Sequence, residues 1–240
     1  MSFRFFFIAL AFFLLLPGAI SAQSQDVAIV AEPISSAPPL YPGKPLVPLE
    51  GSVRVVAVAD LKNASRKQID PNSLVYAWTV DGTKILDSSG IWKEAIIVAS
   101  PLQYRVRDVS VSVMNSDGSF VGGATLSLSP MEPLVRIYEN DPLLGIRYDR
   151  ALSDRYAIAV ESTLYAAPFS LPTARGAPLL RWFLNGATVQ TGNSITLRPT
   201  GSGSGSASLS IIASAGSYTT ATTNLSLTFG TKPGLNIFDL

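Results

Sequence analysis

The sequence contains no cysteine and no histidine. Without cysteine there is no disulfide framework, no thiolate metal site and no thiol nucleophile. Without histidine the commonest general base and the commonest transition-metal ligand are gone, and a Ser–His–Asp triad cannot be assembled. Charge is scarce as well. Asp, Glu, Lys and Arg make up 15% of the chain and the formal net charge is +1, which leaves no basic footprint for nucleic acid. No Gly-rich loop followed by Lys and a helix is present to cradle a phosphate. The alternating Gly and Ser from Gly201 to Ser206 read instead as a flexible connection between strands.

What is present begins with a targeting pattern. Arg4 precedes the apolar run Phe5–Leu16, Pro17-Gly18 breaks it, and Ala19-Ile20-Ser21-Ala22 offers small residues for cleavage. Charge, short apolar core and small-residue site are the parts of a secretory signal. The run falls short of the ~20 residues a spanning helix needs. Residues 1–22 are therefore expected to direct export to the cell surface or periplasm. The alternative is an uncleaved N-terminal anchor, which would be the only contact with a membrane.

Beyond the leader the chain reads as short strands broken by turns. Val27–Ala31 is the first. Prolines at 33, 38, 39, 42, 45 and 48 then make Pro33–Pro48 an extended connection lying over the sandwich surface, since proline removes backbone donors and fixes φ. Val53, Val55 and Ala57 alternate with more polar neighbours, as do Val109, Val111 and Val113. Tyr76, Trp78 and Val80 fall on one strand face and run into Asp81-Gly82, a hairpin turn. Strands of this length with frequent turn signals argue for a β-sandwich.

Pro130-Met131-Glu132-Pro133 marks a boundary, after which the pattern restarts. Arg155–Glu161, carrying Ile158 and Val160, resembles Arg54–Asp60. Trp182 and Leu184 followed by Asn185-Gly186 replay Trp78 and Val80 followed by Asp81-Gly82. Leu209-Ser210-Ile211 replays Val111-Ser112-Val113, Gly216-Ser217-Tyr218 replays Gly118-Ser119-Phe120, and Leu225-Ser226-Leu227 replays Leu126-Ser127-Leu128. Matches in the same order imply an internal duplication. The expected organisation is all-β, with a sandwich over residues 23–131 and a second over 132–240. Tyr76, Trp78, Val80, Val111, Val113, Ile158, Val160, Trp182 and Leu184 are the expected core.

Trp78 and Trp182 resemble the core Trp on the third strand of immunoglobulin-like and PKD-like domains. Tyr76-x-Trp78 with the following Asp81-Gly82 is similar to the PKD pattern. The second copy departs from it with Leu180 in place of Tyr. The resemblance implies two tandem immunoglobulin-like sandwiches of the kind that serve as adhesive or spacer modules on bacterial surfaces.

Catalysis is not expected. Glu139, Asp141, Asp149 and Asp154 could form a carboxylate pair, but their place at strand ends and in loops fits ordinary surface acids. Oxygens from Glu139, Asn140 and Asp141 could bridge the domain junction through calcium. No spaced ligand ladder accompanies them, so no metal and no cofactor is expected. The expected partner is a protein or a surface polymer. The apolar stretch Thr163–Pro172 reads as a loop at a sandwich tip. Its counterpart in the first copy is the charged Lys62–Asp70 loop, and it supplies Tyr165, Phe169 and Leu171 as candidate contacts, with Trp92 as a fourth. Against this stands the reading that the stretch covers its own core or contains another strand, and that Trp92 is partly buried at a sheet edge. Other functions in view are a carbohydrate-binding accessory module, which needs aromatics aligned on one exposed face, and a membrane-anchored component of a pilus or secretion apparatus.

Overall fold

The computed structural model describes residues 27–62, 67–158, 161–200, 203–216 and 219–230. The expected signal segment and Val160 lie outside them. Among the described residues, eight strands occupy the first half: β1 (Val27–Pro33), β2 (Ser52–Ala59), β3 (Val75–Val80), β4 (Thr83–Lys84), β5 (Gly90–Ile91), β6 (Ala95–Ala99), β7 (Arg107–Met114) and β8 (Phe120–Leu128). They form two sheets, β1-β2-β6 and β4-β3-β7-β8, with β5 flanking β3. Strict alternation drives this arrangement. β2 turns Val53, Val55, Ala57 and Ala59 inward and β7 turns Val109, Val111 and Val113 inward. Tyr76 and Trp78 from β3 complete one core, with Val80 partly buried at its margin.

The second half follows the same plan, with nine strands among its described residues: β9 (Leu134–Asp141), β10 (Gly145–Leu152), β11 (Arg155–Ile158), β12 (Ser162–Phe169), β13 (Leu179–Leu184), β14 (Ala187–Thr191), β15 (Ser194–Leu197), β16 (Gly205–Ala215) and β17 (Thr219–Phe229). Its sheets are β10-β9-β12-β15 and β11-β17-β16-β13-β14. Removing β10 and β11 leaves the strand partition of the first half, which is the immunoglobulin-like one. The protein is all-β, two immunoglobulin-like sandwiches in tandem.

The duplication holds at the level of single bonds. Trp78 faces Val111 across β3 and β7, and Trp182 faces Ile211 across β13 and β16. Both indoles are fully buried. The Trp78 ring N–H donates to the Lys93 carbonyl at 2.7 Å and that of Trp182 to the Gly192 carbonyl at 2.9 Å. Asp81-Gly82 turns the chain at φ 49° and 79°, Asn185-Gly186 at 50° and 82°, the positive pair a two-residue hairpin requires. Asp81 Oδ1 accepts the Asp108 N–H, and Asn185 Oδ1 accepts the Ser208 N–H, each at 2.9 Å. Ile158 lies inside the second core with Trp182, and Leu184 packs at its edge.

One expected equivalence is corrected. Arg155–Glu161 is not the second copy of Arg54–Asp60. β2 pairs with β1 and β6, and the strand that pairs with both β9 and β15 is β12. β11 instead runs parallel to β17. The stretch Thr163–Phe169 is this central strand rather than a loop, and the charged loop after β2 is not its counterpart.

Candidate functional site

β12 builds the joint between the two halves. Leu164 and Ala166 point into the second core, while Tyr165, Ala167 and Phe169 point out the other side. A strand covered on both faces carries a continuous apolar run instead of an alternating one. The cover over the outward face is shared between β10, through Ile146, Tyr148 and Ala151, and the first half. The proline-rich connection leaves β1, crosses to the second half and returns to β2, laying Tyr41 and Leu46 over Tyr138, Tyr165 and Phe169. Tyr41 meets Tyr148 edge-on, with ring centroids 5.9 Å apart. Tyr148 in turn lies edge-on to Tyr138 at 5.2 Å, and its hydroxyl donates to the Pro39 carbonyl at 3.0 Å.

Prolines suit this strap because an extended proline-rich segment needs no ladder of its own. Where it does meet the second half, the backbone pairs. The Ser36 N–H donates to Leu171 O at 2.7 Å, the Ser170 N–H to Ser36 O at 3.2 Å, and the Thr173 N–H to Ile34 O at 3.2 Å. Ser36 Oγ accepts the Leu171 N–H at 3.1 Å. Ser170 is buried at φ 60°, with its hydroxyl 2.9 Å from Met131 O and 3.2 Å from Val47 O. That one side chain ties strap, connecting segment and β12 together. Glu50 accepts from the Thr219 hydroxyl at 3.1 Å and Glu132 from Gln103 at 2.9 Å, adding polar contacts around the rim. Burial, with Tyr165 alongside, pushes the Tyr148 phenol up to about 12, and burial raises Tyr138 as well.

Three of the four expected contact residues are therefore placed differently from the expectation. Tyr165 and Phe169 are 9% and 5% exposed under the strap, and Leu171 is fully buried in the second core. They serve a contact within the chain because β12 is a central strand. Trp92 departs from the expected edge burial in the other sense. It is 69% exposed at φ 65°, next to β5, toward the end of the first half remote from the joint. Tyr104 is 91% exposed, but it lies between β6 and β7 at the joint end, so the two rings do not share a platform. The sequence reading missed Tyr41, Ser36 and Ser170. The aromatic among the prolines was the available signal for the first, and the two serines offered none.

The acids also fall into structural roles. β9 carries Asp141 away from the joint, and its carboxylate accepts the Leu143 and Leu144 N–H groups at 2.7 and 2.9 Å, which hold it below the usual carboxylate range. It does not bridge the junction, as the calcium reading required. Asp149 pairs with Arg147 at 3.1 Å, and Glu139 accepts from the Tyr156 hydroxyl at 3.1 Å. Among the described residues no group of three or more Asp or Glu side chains could hold a metal ion, and no helix is long and apolar enough to cross a membrane. At the joint a groove of about 360 Å³ lies between Glu50, Arg175, Pro172 and Gly216. It offers one acid and one base, not two facing acids.

No family model and no curated protein matches the chain. Among solved structures, the three N-terminal domains of the highly immunogenic outer capsid protein of bacteriophage RB49 share 12% identity, with 86% of this chain and 59% of that one covered and a TM-score of 0.43. The fibronectin(III)-like modules of Clostridium thermocellum CbhA share 12% identity over 82% of this chain and 94% of that one, with a TM-score of 0.30. Immunoglobulin domains 1–4 of Sidekick-1 share 14% over 88% and 49%, also at 0.30.

Proposed function

We propose that this chain is an exported, non-catalytic spacer and binding module with domains at residues 23–131 and 132–240. The observation that carries the reading is the strap. A spacer has to transmit position from one end to the other, and the first half's own proline-rich segment is packed into the second half's outer sheet through Tyr41, Leu46 and Ser36. Such an interlock resists bending more than a short hinge would. The ends remote from the joint stay free for partners, and Trp92 is the contact we assign, since an exposed indole at positive φ contributes little to the core beneath it. The partner class is a protein or surface polymer.

The test is fractionation of cells making the full chain, with the mass of the product and binding by the parent and Trp92→Ser forms read together. The reading expects a product in the envelope or medium that starts near Ala22 or Gln23, and loss of whole-cell or polymer binding in the variant. Full-length material confined to the cytosol would remove the export claim. Unchanged binding would remove Trp92.

A further inference from the structure

The two halves treat one equivalent sheet edge differently. β6 ends the sheet β1-β2-β6, and β15 ends the corresponding sheet of the second half. Their registers match. The Ala57 N–H donates to Glu94 O at 2.8 Å and the Ala166 N–H to Asn193 O at 2.7 Å, so Ala95 is the counterpart of Ser194 and Ile97 of Thr196. In an antiparallel ladder, alternate residues turn their main-chain groups toward the neighbouring strand. Glu94, bonded to Ala57, and Ser100, whose N–H donates to Gly51 O at 3.0 Å, fix that phase for β6. Ile96 and Val98 therefore bond to β2, and Ala95, Ile97 and Ala99 turn their N–H and C=O groups to the open side.

The second half closes this edge. Ser194 O accepts from Gln190 Nε2 at 2.9 Å, and the Thr196 and Thr163 hydroxyls are bonded at 3.0 Å. The first half leaves it open. Ala95 and Ile97 replace the polar pair, and Ile97 is 66% exposed. Among the described residues only Ala99 O has a partner on that side, Arg107 Nη1 at 2.7 Å. No charged residue lies between Glu94 and Arg105, and β6 holds no proline. Charges and prolines are the devices that ordinarily keep an exposed edge from pairing.

We propose that β6 pairs with β6 of a second copy of the chain, antiparallel about a two-fold axis at Ile97. The strand specifies its own partner. Ala95-Ile96-Ile97-Val98-Ala99 runs small, branched, branched, branched, small in either direction, so the antiparallel strand that matches it is itself. Each Ile97 exchanges both main-chain bonds with the partner's Ile97. Each Ala99 N–H meets the partner's Ala95 carbonyl, so the occupied Ala99 oxygen is not needed. Arg54, which neighbours Ile97 on β2, is already paired with Glu32 at 2.7 Å and brings no bare charge to the axis. Pro101 stops the ladder at each end.

Main-chain bonds supply the affinity and the matched side chains the register. The interface is isologous and closes at two copies. A five-residue edge is smaller than the ~1,200 Å² at which stable interfaces begin, so the pair is expected at high concentration, within a range reaching about 1 mM. It uses neither Trp92 nor the joint. It goes beyond the spacer reading and stands or falls apart from it.

The experiment is sedimentation velocity on the purified mature protein up to about 1 mM, with Ile97→Lys beside the parent. The parent is expected to pass from monomer to dimer and stop there. Ile97→Lys changes an exposed side chain and leaves the core alone, and is expected to weaken the dimer at least tenfold. Because the chain has no cysteine, a cross-link gives a second readout. Directly paired residues in a hydrogen-bonded antiparallel position have Cα atoms about 5.5 Å apart, within disulfide reach. Under mild oxidation Ile97→Cys is expected to give covalent dimer at least tenfold faster than Thr196→Cys, its exposed counterpart in the second half. A parent that stays monomeric to about 1 mM, mass that grows past the dimer, an Ile97→Lys form that associates like the parent, or equal cross-linking at the two cysteines would each overturn the proposal.

Discussion

Tyr41 packs edge-on against Phe169, with ring centroids 5.1 Å apart and planes at 72°. One ring belongs to the proline-rich strap of the first half and the other to the central strand of the second. Replacing Tyr41 by Ala removes this pair and the pair with Tyr148, each of which contributes about 0.5–1.5 kcal/mol beyond area burial. Tyr41→Ala is expected to lower stability by about 2 kcal/mol and to separate the unfolding of the two halves into two transitions in urea. A single transition at an unchanged midpoint would show that the strap does not couple them.

The two buried indoles make matching predictions. Trp78→Phe and Trp182→Phe each leave a backbone carbonyl, of Lys93 or Gly192, without its donor. Losing a hydrogen bond of this kind costs about 0.5–1.5 kcal/mol, and the lost volume adds to it. Equilibrium unfolding followed by circular dichroism should show similar losses for both. A large loss in one and none in the other would mean that the two cores are not built alike.

The turn after each indole separates two chemistries. Asp81→Asn keeps the acceptor for the Asp108 N–H and gives up the ion pair with Arg107 at 3.0 Å, a partly exposed pair of the kind that contributes about 0–1 kcal/mol. Asp81→Ala loses the acceptor, and with it the local hydrogen bonding that lets Asp or Asn hold a positive φ, for about 1–3 kcal/mol. Thermal unfolding should place Asn near the parent and Ala well below, because Asn185 already occupies the same place in the second half.

Alkaline pH probes the strap from another side. A phenol in the unfolded chain ionises near 10, whereas Tyr148 keeps its proton up to about 12. Between those values the unfolded chain binds fewer protons than the folded one, so stability is whole below about 10 and falls as pH rises toward about 12. Tyr148→Phe should flatten that fall and remove the latest phase of tyrosinate absorbance. An unaltered absorbance titration would contradict the burial.

Trp78, Trp182 and the turns that follow them were legible in the sequence because each strand there has one wet face, so the alternation survives. β12 was not, because both its faces are covered and its run from Leu164 to Leu171 lost the period that marks a strand. β11 resembles β2 in sequence for a related reason. It is short, alternating and exposed on one side, which makes it look more like β2 than β12 does. The strap was recognisable as extended and proline-rich, but which sheet it would lie on is a matter of tertiary placement that no local pattern encodes. Ser170 carries no signal at all. Its value comes from two carbonyls, Val47 and Met131, brought to it by distant parts of the chain.

Because Tyr41 and Leu46 roof the outer sheet of the half that follows them, the hereditary unit here is the pair. A recombination that divided the gene at Pro130 would hand the downstream piece a wall of tyrosine and phenylalanine with part of its cover gone, and the upstream piece a strap with nothing to grip.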